Sequence, residues 1–134
     1  TLDQWRRDLA IVHTASARAH LANGDAASAE RAAAASIREF ETLTTTDSTT
    51  PRYIADAYLV LGDAEAASGR AAKAREAWSR AAAILPLKAS ETPEARDISV
   101  RALIRLQRRD EAAPVIEQLQ RIGYRAPDFL SAIS

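Results

Sequence analysis

Small and large apolar residues recur at three- and four-residue steps along most of this 134-residue chain. No stretch alternates apolar with polar residues over the length of a strand, so the spacing predicts an all-α protein. In the first segment Leu9, Val12, Ser16, Ala19 and Ala22 keep that rhythm, and a helix is predicted over 2–21. Asn23 and Gly24 tolerate left-handed backbone and end it. Asp25 is placed to cap a second helix over 26–43. The polar, β-branched run 44–50 reads as a loop, and Thr50-Pro51 as a cap followed by Pro at the first helical position.

The same punctuation continues. A third helix is predicted over 51–68, stopped at Gly69, and a fourth over 71–85, stopped by Pro86. After a connector, Thr92-Pro93 repeats the cap-and-Pro signal and opens a fifth helix over 93–107. Asp110 is the expected cap of a sixth, ending near Ile122 before Gly123, with Pro114 close to its first turn, where a missing N–H is tolerated. Residues 127–133 form a short terminal helix.

Six helices in three pairs invite a search for repeats. With Gly69 as the turn inside a pair, a 34-residue unit runs over 55–88. Its counterparts are 10–43, offset by 45 around Gly24, and 93–126, offset by 38. The extra residues fall in the two connectors, where stacked hairpins tolerate length changes.

The middle unit resembles a tetratricopeptide repeat. The residues that carry the resemblance are Tyr58, Leu61-Gly62 and Ala64 on the first helix, Gly69 at the turn, and Ala74, Trp78, Ala81 and Pro86 beyond it. The outer units keep less of the pattern. The first has His13, Ala17, Gly24, Ala29 and Ser36; the third has Leu103, Ala112 and Ile116, with Gln107 where the turn Gly would stand. The resemblance implies a right-handed α-solenoid of three helical hairpins, with 127–133 as a C-terminal cap. Phe129, Leu130 and Ile133 are the expected cover for the last hairpin, because solenoid ends otherwise expose apolar surface. Trp5, Tyr53, Trp78, Tyr124 and Phe129 are expected to pack between helices.

The resemblance further implies a non-catalytic interaction module that takes a peptide or protein surface in a concave groove lined by the first helix of each pair. Carried over by alignment, the groove positions are Thr14, Arg18 and Leu21, then Asp56, Leu59, Val60 and Asp63, then Glu94, Asp97, Arg101 and Arg105. One subfamily grips a C-terminal carboxylate through a clamp that here falls on Thr14, Arg18, Val60, Glu94 and Ile98. Only Arg18 suits a carboxylate, so binding of chaperone tails is not expected. The groove charges either meet a partner or pair with one another and water. Packing against a neighbouring domain or a second copy, as a homodimer, is a rival use. A sensor of a short peptide or small ligand is another, and would need a partly apolar pocket near Leu21, Leu59 and Val60.

Composition narrows the alternatives. Lys plus Arg and Asp plus Glu both number 18, which argues against a nucleic-acid binder, normally a basic chain with a phosphate-facing stripe. No apolar run is long enough to span a membrane. Zero Cys excludes disulfides and thiolate metal sites. His13 and His20, seven apart, are separated by about 10 Å along a helix and cannot share one metal. Asp56 and Asp63 have the same spacing, and no G-x-S-x-G motif is present, so no enzyme activity, metal or cofactor is expected.

The cluster 105–110, RLQRRD, reads as a solvated helix end, where cations are favoured. The Thr-rich loop reads as an ordinary connector, with phosphorylation as the alternative. Arg in place of Lys, together with abundant Ala, points to a GC-rich bacterial genome. The stretches WRRDLA, RRDEAAP and IGYRAPDF are similar to repeat regions of large bacterial regulators that carry a Ser/Thr kinase or winged-helix domain. The chain begins without Met and is expected to be a fragment of such a protein, cytoplasmic or an extracytoplasmic part of a membrane-anchored parent.

Overall fold

The structure, a computed structural model, describes residues 1–45 and 47–134, for Ala89 the backbone alone. Among the described residues there are seven α-helices and no strand: α1 (Leu2–Ala22), α2 (Ala26–Glu41), α3 (Thr50–Ala67), α4 (Ala71–Ile84), α5 (Pro93–Arg105), α6 (Arg109–Arg121) and α7 (Pro127–Ile133). A single 3-10 turn, Leu87–Ala89, lies between α4 and α5. The helices pack as sequential hairpins, α1 on α2, α3 on α4 and α5 on α6, and each hairpin packs on the next through α2–α3 and α4–α5. The first helices also touch, α1 with α3 and α3 with α5. No described helix is long and apolar enough to cross a membrane.

The three hairpin turns have one geometry. At the end of α1 the Gly24 N–H donates to Leu21 O and the Asp25 N–H to His20 O, the paired bonds of a Schellman turn. The same pair recurs at Gly69 and Arg70, and again at Gln107 and Arg108. In each turn the residue that closes one helix also caps the next. Gly24 and Gly69 have φ near +80°, and Gln107 takes φ +60° with a side chain. A left-handed L-residue costs roughly 1–2 kcal/mol, so tertiary packing, rather than local preference, holds the third turn. The turns at Gly24, Gly69 and Gln107 therefore fall in the register that the 45- and 38-residue offsets predict.

Two predicted caps are replaced. Thr50 is the first residue of α3 rather than its cap, and Asp47 does the capping: its Oδ1 accepts from the Thr49 and Thr50 N–H groups at 2.9 and 3.0 Å. A carboxylate two or three residues upstream outcompetes a hydroxyl as acceptor. Helix α6 starts one residue before Asp110, capped at Arg108, so Pro114 lies inside the helix and Asp110 O loses its usual i+4 donor. Asp25 and Thr92 cap as expected, accepting from Ser28 and Ala95 N–H.

The first residues of the loop before α3 are tied to α1. Asp3 Oδ2 accepts from the N–H and hydroxyl groups of Thr44 and Thr45, at 2.6–3.1 Å. Thr46, within the predicted 44–50 loop, lies outside the described residues. The hydroxyl donors hold the Asp3 carboxyl well below the ordinary range, and the Thr49 hydroxyl leads those that lower Asp47 to about 2.

Small residues set the core. Ala10, Ala17, Ala29, Ala33, Ala55, Ala57, Ala64, Ala74 and Ala112 are completely buried, and the large residues are few. Phe40 and Ile37 pack with Ala10 and Ala57 between the first two hairpins. Leu59, Leu85 and Ile98 pack with Ala55, Ala81, Ala95 and Ala102 between the second and third. Gly62 faces the Trp78 ring so closely that a Cβ there would overlap Cδ1 and Nε1.

Two predictions follow from this packing. Gly62→Ala adds helix propensity worth about 1 kcal/mol, yet it should lower stability in urea by about 1–3 kcal/mol through overpacking on Trp78. A variant as stable as the parent would show that Trp78 is free to move. The second concerns acid. Depressed carboxyl pKa values stabilise the fold in full above the unfolded value of about 3.9 and lose that contribution as pH falls through the folded value. The urea midpoint should therefore drop between pH 4 and about 2, the folded value of Asp47. Asp47→Asn should shallow that drop, and an unchanged pH slope would contradict the assignment.

Candidate functional site

The first helices leave a groove between them. It encloses about 540 Å³ and is lined by Arg18, Leu21 and Ala22 of α1, Leu59, Val60 and Asp63 of α3, and Arg101, Ile104 and Arg105 of α5. Asp128, Ser131 and Ala132 of α7 close the far wall. Seven of the sequence-predicted groove residues are brought together here: Arg18, Leu21, Leu59, Val60, Asp63, Arg101 and Arg105.

Four others do not line it. Thr14 is buried between α1 and α2, where its hydroxyl lies 2.7 Å from Ser36 Oγ, itself donating to Ala10 O. Its place on α1 turns toward the partner helix because α1 is covered from two sides. Asp56 sits beside the groove, paired with Arg18. Asp97 is buried beneath the groove wall, and Glu94 is exposed at the start of α5. The first helices of the pairs do not include α7, which belongs to no pair, so the sequence pattern does not place this wall. The clue available was that Pro127 follows Pro93 by one 34-residue period.

Charges in the groove pair across hairpins. Arg18 Nη1 donates to Asp56 Oδ2 at 2.6 Å, joining α1 to α3. Arg105 grips Asp63 with two bonds, Nε to Oδ1 at 2.6 Å and Nη2 to Oδ2 at 3.0 Å, joining α5 to α3. Asp63 Oδ1 also accepts from the Trp78 indole at 3.0 Å. A two-bond Arg–carboxylate pair fixes orientation as well as charge. One bond is left open: Asp56 Oδ1 is buried with no partner among the described residues.

At the C-terminal end, Asp97 organises a second cluster. It accepts from Arg101 Nε at 2.8 Å and from the Tyr124 hydroxyl at 2.7 Å. Burial, then the neighbouring Asp97 carboxylate, pushes the Tyr124 phenol above its ordinary range. Tyr124 meets Phe129 edge-on, ring centroids 5.4 Å apart. These contacts seat the segment carrying α7, and with it the groove's far wall. Phe129 is buried against Val100, Leu103, Ile116 and Leu119, with Leu130 and Ile133 packed alongside.

Outside the groove, Arg70 bridges Glu30 of α2 and Glu65 of α3. Burial pushes the Glu65 carboxyl up, but the hydrogen bonds with Arg70 and Glu30 and the charges of Arg70 and Lys73 together outweigh it, and the net shift is downward. Arg108 pairs with Glu111, so the basic run 105–110 is partly neutralised. Among the described residues no group of three His, Cys, Asp or Glu is placed to hold a metal. Trp5, expected between helices, is instead exposed on α1.

Comparison with protein-family models, with curated proteins and with solved structures finds no match to this chain.

Removing Asp63 tests the linkage between α3 and α5. Asp63→Ala strands the part-buried Arg105 guanidinium and the Trp78 N–H, and should cost about 1–3 kcal/mol in chemical denaturation. The exposed Glu94→Ala serves as control and should stay within about 0.5 kcal/mol of the parent. Equal effects at the two sites would mean the Asp63 pairing contributes nothing measurable.

Proposed function

We propose that the chain is a non-catalytic interaction module, a right-handed α-solenoid of tetratricopeptide type, that takes a peptide or protein segment in the groove between α1, α3, α5 and α7. Three hairpins with identical turns, first helices in mutual contact and the Gly62–Trp78 approach all support the solenoid reading. A hairpin of this kind cannot bury its apolar face alone, so stacking is required and a groove results.

The observation that carries the function is the groove's lining. Its floor is apolar, made by Leu21, Leu59, Val60 and Ile104, and most of its rim charge is already paired. A partner is therefore recognised by apolar side chains and shape more than by strong ion pairs. Arg18 is the exception: its side chain is 41% exposed and spends one N–H on Asp56. It is the residue placed to hold an acidic group beside the apolar anchors. The volume also falls in the range of roughly 300–1,000 Å³ typical of small-ligand sites, which favours a short peptide or compact ligand over a broad surface.

Peptides selected from a random display library on the immobilised protein should carry apolar residues near an acidic one. Their affinity should fall at least tenfold on Ser131→Trp, which fills the groove from the exposed side of α7, and on Arg18→Glu. Circular dichroism should show both variants folded. Peptides that bind the parent and both variants equally would place the binding surface elsewhere.

A further inference from the structure

Helix α1 carries a second surface, on the side opposite its core. Leu2, Trp5, Leu9, Val12, Ser16 and Ala19 follow one another at steps of three and four residues, and Leu2, Trp5 and Val12 are 60, 61 and 62% exposed. The core of α1 is elsewhere, at Ala10, Thr14 and Ala17. Such a 3–4 stripe is the seam by which one helix packs along another.

The rest of the chain shows what this face does when covered. Shifted by the 45 residues that separate Gly24 from Gly69, Trp5, Leu9, Val12, Ser16 and Ala19 correspond to Thr50, Ile54, Ala57, Leu61 and Ala64 of α3. Thr50, Ala57 and Ala64 are buried, and Ile54, Ala57 and Leu61 pack with Ile37 and Phe40 of α2. In α5 the corresponding Ala95 and Ala102 pack with Ala81 of α4 and with Leu85, which caps its end. A first helix thus turns this face to a neighbouring helix twice within the chain, and α1 turns it to solvent.

We propose that a second copy of the chain covers it, with the two α1 helices packed antiparallel about a two-fold axis. Head-to-tail stacking would need the open face of α5 and α6, and Phe129 of α7 already fills that. An isologous pair needs only α1. With Leu9 set against Val12 of the other copy at the centre, Leu2 meets Ala19 and Trp5 meets Ser16, large against small toward both ends of the seam. Antiparallel alignment also sets each helix's positive end beside the other's negative end. A 21-residue helix is about 31 Å long and, pressed along a copy, hides roughly 1,000 Å² in total, near the lower bound for a specific interface. A buried area of that size suits a weak, transient dimer. It uses a surface separate from the groove and stands or falls independently of it.

Light scattering after size exclusion, run across roughly 1–500 µM, should show the mass rising from monomer toward twice that value. Trp5→Glu and Val12→Glu, both at exposed positions, should hold the protein monomeric with unchanged helix content. Because the chain has no Cys, orientation is readable by oxidation: Leu2→Cys mixed with Ala19→Cys should give a covalent dimer, and Leu2→Cys alone should not. Monomer mass throughout would overturn the proposal and leave the face to a helix of another polypeptide. A dimer indifferent to Trp5→Glu, or one cross-linked by Leu2→Cys alone, would overturn it as well.

Discussion

Close approach of helices at alanine is the constraint on which this structure depends. Ala at an interface removes almost no side-chain entropy and lets backbones come near, but it buries little area per residue. Stability then has to come from many such contacts laid side by side. That is why Ala33 meets Ala17 of α1, Ala57 faces α2, and Ala81, Ala95 and Ala102 face one another between α4 and α5. The few large residues, Phe40, Leu59, Trp78, Leu119 and Phe129, fill the gaps that remain. Gly62 is the extreme case, the place where even a methyl group has no room.

Close stacking also dictates where charge goes. First helices in mutual contact bring Arg18 within reach of Asp56, and Arg105 within reach of Asp63, at sequence separations of 38 and 42. Each pair crosses from one hairpin to the next, so the ion pairs act as registration marks between units that are otherwise held by small apolar surfaces. The consequence for function is that the groove is electrically quiet. What stays open to solvent there is the apolar floor and the half-exposed Arg18 guanidinium.

The two ends of the stack are treated differently. At the C-terminal end the period continues for half a unit: α7 arrives 34 residues after α5. Its Phe129 seals the last hairpin, and its other side becomes a wall of the groove. At the other end α1 keeps Leu2, Trp5 and Val12 exposed to solvent.

Much of this was legible in the sequence because its signals are local. Cap residues, Gly turns and Pro positions act within a few residues, so the helices fell within two residues of their predicted ends. Gln107 could be aligned with a turn Gly before its left-handed φ was known. The exceptions were local too: Asp47 displaced Thr50 as a cap because a carboxylate upstream is the stronger acceptor. The groove positions were carried over by alignment with the repeat that the middle unit resembles, and seven of the eleven named residues line one cavity. What periodicity does not carry is which of two neighbours a side chain meets when its helix is covered from both sides. Thr14 lies on the predicted arc yet is buried against Ser36, and Asp97 points beneath the wall toward Tyr124. The pairing of Arg105 with Asp63, the role of α7 as a wall and the exposure of Trp5 depend on where whole helices sit. That is decided by the sum of contacts over distances of 40 residues and more, and no short stretch of the chain contains it.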